Sequence, residues 1–130
     1  MNIMIINNFL IIKCIGEDDK LGLRINKDFF IQKIKKKNND YNLVSEIFDF
    51  FRLRNVIIDE NFSVIVNLGP GSFSGIRTSI SVAKGLLISK KIKLYGYKDT
   101  DLTRFDKENI ENLLNKNLIE KKLIKAIYLS

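Results

Sequence analysis

Four side chains of this sequence could hold an anion together: the hydroxyls of Ser72 and Ser74, the guanidinium of Arg77 and the ammonium of Lys84. They lie in or just after the run Gly69-Pro70-Gly71-Ser72-Phe73-Ser74-Gly75, which holds the chain's only proline. A glycine turn that opens a helix gathers backbone N–H groups at the positive end of the helix dipole, the chemistry of a phosphate cradle. The spacing departs from the familiar cradles. A P-loop needs Gly-Lys-Ser/Thr after four intervening residues from its first glycine, and no such ending follows Gly69 or Gly71. A dinucleotide fingerprint needs a third glycine where this chain has Ser74, one residue before Gly75. The other reading is structural: the glycines allow a tight turn and close backbone packing, and Arg77 orders the loop by a cap or a salt bridge. The residues alone leave both open.

What is missing narrows the chemistry further. With no histidine and one cysteine, Cys/His zinc sites, Ser-His-Asp triads and Cys-His dyads are excluded. Acid–base work would fall to carboxylates, lysine or tyrosine. The tightest carboxylate pair, Asp18-Asp19, follows Glu17 and precedes Lys20 between two strand-like segments, and it reads as a solvated hairpin turn. The expectation is therefore no catalytic residue, no metal site and no cofactor. The competing class is a nucleotide-binding or nucleotide-hydrolysing protein built on Gly69 to Gly75.

The net charge of +7 raises nucleic-acid binding. Lys33, Lys35, Lys36 and Lys37 form the densest basic patch, and Lys90, Lys91 and Lys93 a second. Most of the basic residues are lysine, however, and arginine is the better fork for phosphate. A chain this rich in lysine, asparagine and isoleucine also has a compositional bias that needs no binding to explain it.

These residues must be positioned by an α/β fold. An apolar fraction of 45% argues for a packed core, and 130 residues suit one domain. Phe62 to Val66 reads as a buried strand, and Ile76, Ile80, Ala83 and Leu87 recur on one helix face. Ile92 to Tyr95 then gives a second strand ending at Gly96-Tyr97, so the unit should be a right-handed parallel crossover. Upstream, Met1 to Ile25 reads as a meander: Ile3 to Ile6 and Phe9 to Ile15 around an Asn7-Asn8 turn, then Leu21 to Ile25. Asp28 to Lys37 reads as helical or irregular. A helix is expected from Tyr41 to Arg54 with Asp40 as N-cap. Its stripe is Leu43, Val44, Ile47, Phe48 and Phe51, broadened by Phe50 and Leu53. A last helix starts near Asp106 and carries Ile110, Leu113, Leu114 and Leu118. Residues 1–105 are expected to form the α/β domain and 106–130 a helical tail packed on it. No apolar run approaches the roughly 18 residues of a membrane span. The start lacks the basic residues and cleavage site of a signal peptide, and the lone Cys14 suits a reducing compartment. Cytoplasm is the expectation.

The glycine segment also carries a resemblance. Gly69 to Arg77 (Gly-Pro-Gly-Ser-Phe-Ser-Gly-Ile-Arg), with Ala83-Lys84-Gly85-Leu86 after it, resembles the signature of the TsaB (YeaZ) family, usually Gly-Pro-Gly-Ser-Phe-Thr-Gly-Leu-Arg followed by a small-residue-rich helix. The likeness is strong from Ser63 to Leu87 and weak upstream. It implies half of an actin-like, ribonuclease-H-like fold: a mixed sheet of a β-meander plus a βαβ unit, flanked by helices, with the second lobe largely missing. It also implies a non-catalytic subunit that supports a TsaD-like transferase in making threonylcarbamoyladenosine on tRNA, with a TsaE-like ATPase acting through the complex. In the family the two helices dock the transferase, or a second copy. Phe48, Phe51, Ile76, Ile80 and Ala83 would enter that contact here. Contact with tRNA is expected to be indirect or weak, and a relict homodimer is the third reading.

The departures are specific. The family's first strand ends in Asp-Thr-Ser, where this chain offers Asn7-Asn8-Phe9. Asn39-Asp40-Tyr41 replaces His-Ser-Glu at the first long helix. The ending Ala126 to Ser130 only faintly resembles the family's Pro-x-Tyr-Leu-Arg.

Overall fold

The computed structural model describes residues 7–34, 42–117 and 119–120. In chain order the elements are β1 (Phe9–Lys13), β2 (Lys20–Ile25), β3 (Asp28–Lys33), α1 (Leu43–Arg52), β4 (Ser63–Asn67), α2 (Phe73–Lys90), β5 (Lys93–Tyr97), a short 3-10 turn (Asp99–Asp101), α3 (Lys107–Asn115) and β6 (Ile119–Glu120). The six strands form one sheet in the order β3-β2-β1-β4-β5-β6. β1, β4 and β5 run parallel, while β2, β3 and β6 pair antiparallel to their neighbours. The expected mixed sheet is present: an antiparallel meander joined to a βαβ unit.

Alternation along each strand sends side chains to two separate cores. Leu10, Ile12, Leu21, Leu23, Val64 and Val66 face α1 and α2. Phe9, Ile11, Ile65, Tyr95 and Tyr97 face Ile110, Leu113 and Leu114 of α3. The central strand β1 is covered on both sides, and Phe9 to Ile12 are all fully buried. Such strands read as unbroken apolar runs rather than alternating ones.

Several expectations are corrected. Asp28–Lys33 is an edge strand, not a helix. Its apolar residues Phe29, Phe30, Ile31 and Ile34 also fit helical spacing, and pairing with β2 decides between the two. The turn that makes this hairpin is Asn26-Lys27, both with positive φ (49° and 77°), as a two-residue hairpin loop that follows strand twist requires. Helix α1 is shorter than expected. Its N-cap is Asn42, whose side chain accepts from the Ser45 amide at 3.1 Å; Asp40 lies outside the described residues. So do the proposed strand Ile3 to Ile6, Lys35 to Lys37, Leu118 and the final segment. Asp106 does cap α3, accepting from the Asn109 amide at 2.8 Å. The tail is not wholly helical, because Ile119–Glu120 returns as a strand beside β5.

Candidate functional site

The C-terminal ends of β1, β4 and β5 lie at one end of the sheet, where open α/β sheets place ligands. The glycine loop is there, and its contacts explain its composition. The Ser72 amide donates to the Ile15 carbonyl at 2.7 Å. A Cβ on Gly71 would lie 2.6 Å from Ile15 Cβ, and one on Gly75 would lie 2.6 Å from the Cys14 carbonyl oxygen. Gly69 has φ of 96° and is followed by a cis bond to Pro70. The loop is thus laid against the β1–β2 turn, and the close-packing reading accounts for its glycines.

A buried polar network fixes its entry. Asn67, 1% exposed, accepts from the Gly69 amide through Oδ1 at 2.8 Å. Its Nδ2 donates to Tyr97 Oη at 3.2 Å and to Asp99 Oδ1 at 3.0 Å. Burial first, and then the nearby Asp99 charge, push the Tyr97 hydroxyl far above the usual phenol range; its hydrogen bond with Asn67 offsets part of this. Sequence reading missed this trio. The available signal was an asparagine two residues before a glycine, a common Asx-turn arrangement.

The anion-binding residues are only partly gathered. Ser72 Oγ and Ser74 Oγ lie 3.5 Å apart, but Arg77 stacks over the Phe73 ring at 4.9 Å from its centroid. Lys84 is seven residues along the same helix, about 10 Å from Arg77 along the axis. Asp19 is also not the solvated turn residue expected. It is buried, and its Oδ1 accepts from the Ile15 and Gly16 amides at 2.9 and 3.0 Å. Because β1 is the strand parallel to β4, the end of the first strand, where the resembled family carries its carboxylate, is at Lys13 and not at Asn7-Asn8-Phe9. Lys13-Cys14-Ile15 stands there, again without a carboxylate.

The second candidate surface is the helix pair. Ile76, Ala83 and Ile80 are 0%, 0% and 9% exposed, because this row of α2 sits on the sheet. Phe51 is buried too and meets Phe62 edge to face at 5.8 Å between centroids. Of the five residues expected at a partner contact, Phe48 alone is outward-facing, at 59% exposure. Phe50, which broadens the apolar stripe of α1, is fully buried, with Arg54 stacked on its ring at 4.5 Å. Between α1 and α2 lies an apolar groove of 240 Å³ lined by Val44, Ile47, Phe48, Phe51, Ile58, Val82, Gly85 and Leu86. An added Cβ on Gly85 would meet no atom within 4 Å, so this glycine leaves the groove open.

A six-stranded mixed sheet with a glycine-loop crossover and a paired-helix layer is the architecture of the YeaZ-type α/β lobe. YeaZ from Pseudomonas aeruginosa superposes with a TM-score of 0.64 at 18% identity, over 73% of this chain and 46% of that one. An uncharacterised protein described as similar to the peptidase YeaZ from Pseudomonas aeruginosa gives 0.65 at 17% identity, over 74% of this chain and 45% of that one. No protein-family model matches. In sequence, 64 residues are 33% identical to the tRNA threonylcarbamoyladenosine biosynthesis protein TsaB of Buchnera aphidicola subsp. Baizongia pistaciae (strain Bp), covering 49% of this chain and 29% of that protein. Sequence and fold therefore point the same way: over the matched part the chain is similar to the TsaB (YeaZ) proteins. The matched part spans less than half the length of these relatives. Among the described residues, no helix is long and apolar enough to cross a membrane.

Proposed function

We propose that this chain acts in tRNA threonylcarbamoyladenosine formation as a non-catalytic scaffold, docking a TsaD-like transferase through the α1–α2 groove. A TsaE-like ATPase would join through that complex, in the cytoplasm. The observation that carries the reading is the groove itself: an apolar cleft with Phe48 and Val44 exposed at its rim, of the kind that marks an interaction site. In this reading Phe48 and Phe51 meet the partner, while Ile76, Ile80 and Ala83 seat α2 so that its other side completes the cleft. The absence of histidine and a glycine loop spent on packing against the β1–β2 turn support a supporting role rather than a chemical one.

The test is co-expression of the chain with the TsaD-like protein of its own organism, followed by size-exclusion chromatography, for the native sequence and for Phe48→Glu. The native chain is expected to co-elute with the transferase. Phe48→Glu should lose the complex while keeping its circular dichroism spectrum, because a buried unpaired carboxylate is costly only when the partner covers it. A complex that survives Phe48→Glu, or a native chain that forms only its own dimer, would overturn the reading.

A further inference from the structure

The strand register places three lysines in one row. Lys13 of β1 stands directly opposite Lys20 of β2, and Lys20 directly opposite Lys33 of β3. Residues opposite one another in a ladder project from the same face. For Lys13 this is the face of Phe9 and Ile11, the side covered by α3. Lys33 is exposed, Lys13 and Lys20 half-exposed, and Ile31 two residues before Lys33 is 42% exposed on the same side. This corner of the sheet is therefore open and basic. Like charges directly opposite in a sheet destabilise it, and no carboxylate among the described residues relieves these three; the ion pairs there are Arg24–Glu111 and Arg52–Asp49. Asp19, the carboxylate adjacent to Lys20, is turned onto the Ile15 and Gly16 amides, and Glu17 and Asp18 are exposed in the turn between β1 and β2. A lysine on an edge strand discourages edge pairing, which would account for Lys33 but not for Lys13 and Lys20 on interior strands.

We propose that the Lys13–Lys20–Lys33 row is a binding site for the phosphate backbone of RNA. Strands lie about 4.8 Å apart, so the row spans about 10 Å, the length of roughly three phosphates along one helical strand. The row lies at the glycine-loop end of β1, away from the α1–α2 groove and on the opposite face of the sheet, so RNA and a docked protein would not compete. The choice of RNA over another polyanion rests on the reading of the chain as part of a tRNA-modifying assembly.

The experiment is fluorescence anisotropy of a labelled, unmodified tRNA transcript titrated with the full chain between 0.05 and 0.3 M salt (about this range brackets the steep region). Two variants of equal charge loss are compared: Lys13→Gln/Lys20→Gln/Lys33→Gln, and Lys90→Gln/Lys91→Gln/Lys93→Gln at the far end of the parallel strands. Folding is checked by circular dichroism. The row variant is expected to bind roughly ten- to a hundredfold more weakly near 0.1 M salt. Its plot of log K against log salt should be shallower by about 2, from about 0.7 per lost contact. The far-end variant should stay close to the native chain. Equal losses in both variants, or an unchanged row variant, would overturn the site, as would a row that matters only for anionic lipid vesicles (phosphatidylserine in phosphatidylcholine). Co-purification with the transferase, run on the same variants, reads the scaffold separately: the row variant should keep the complex that Phe48→Glu loses. Failure of that complex leaves the anisotropy result standing by itself.

Discussion

Two glycines of one helix should respond in opposite ways to the same substitution. Gly75 and Gly85 both lie within α2, so in each case alanine brings a helix-propensity gain of at most about 1 kcal/mol. At Gly85 nothing within 4 Å meets the new methyl group, and the gain should appear nearly whole, as about 0.5–1 kcal/mol of added stability. At Gly75 the methyl would lie 2.6 Å from the Cys14 carbonyl oxygen and 3.2 Å from Cys14 Sγ. Neither the carbonyl of a strand end nor the buried sulfur can step aside, so the start of α2 must lift from β1 by several tenths of an ångström. Ile76, the next residue and fully buried, is lifted with it. Overpacking costs about 1–3 kcal/mol, and a 2.6 Å approach to a backbone carbonyl belongs in the upper half of that range, leaving a net loss of about 1–2 kcal/mol after the propensity gain. The two variants should therefore differ by about 2–3 kcal/mol. Urea unfolding followed by far-ultraviolet circular dichroism would show this as midpoints separated by roughly 1–2 M, with slopes of about 1–3 kcal/mol/M. A Gly75→Ala chain as stable as the native one would refute the claim that close packing, rather than an anion, explains the glycine.

Tyr97→Phe should cost about 1 kcal/mol, since it removes the acceptor of one Asn67 hydrogen bond in a fully buried site. In the native chain, spectrophotometric titration should show this phenol ionising only when the protein unfolds. The folded group is raised, so its contribution to stability is whole below the ordinary tyrosine value near 10 and is lost as pH rises beyond it. Asp106 should behave in the opposite sense. Hydrogen bonds from the Asn109 amide and side chain lower its carboxyl below the usual aspartate value, so its charge favours folding above about pH 4 and the benefit is lost as pH falls through the lowered value. The stability difference between native and Asp106→Asn, measured from pH 7 to 2.5, should shrink in that acid range; a gap that is flat with pH would contradict it.

The parts of the fold written plainly in the sequence were those where local and global demands agree. Phe62 to Val66 is a run of β-branched and aromatic residues interrupted only by Ser63, with Gly69-Pro70 soon after it, and it reads as a buried strand. Ile110, Leu113 and Leu114 with Asp106 ahead of them made α3 equally clear. β3 was obscured because its apolar residues fit both periods, and the deciding partner, β2, is known only from the pairing. Its turn was legible in hindsight as Asn-Lys, a weaker form of the Asn-Gly hairpin signal. For the site, helical spacing correctly grouped Ile76, Ile80 and Ala83 on one face but could not say which side of the helix meets the sheet. In α1 the heavy aromatic content blurred the boundary between Phe50, fully buried, and Phe48, turned to solvent. Residue type cannot separate two phenylalanines two positions apart; the angle at which the helix is laid on the sheet does.

The sheet has a seam. β1–β2–β3 is a local meander and β4–α2–β5 a local crossover, and the strands of the two halves pair only where β1 lies against β4, with Phe9 opposite Ser63. The connection that carries α1 joins β3 to β4 across that line. Lengthening a connection costs little, about 0.6 kcal/mol for a doubling, so added residues in the loop between α1 and β4 should leave the strand registers unchanged. The same seam governs assembly in time. Each half is built from near neighbours, while both cores need β1 beside β4, so by the contact-order argument this distant pairing is the step expected to be slow when the lobe folds.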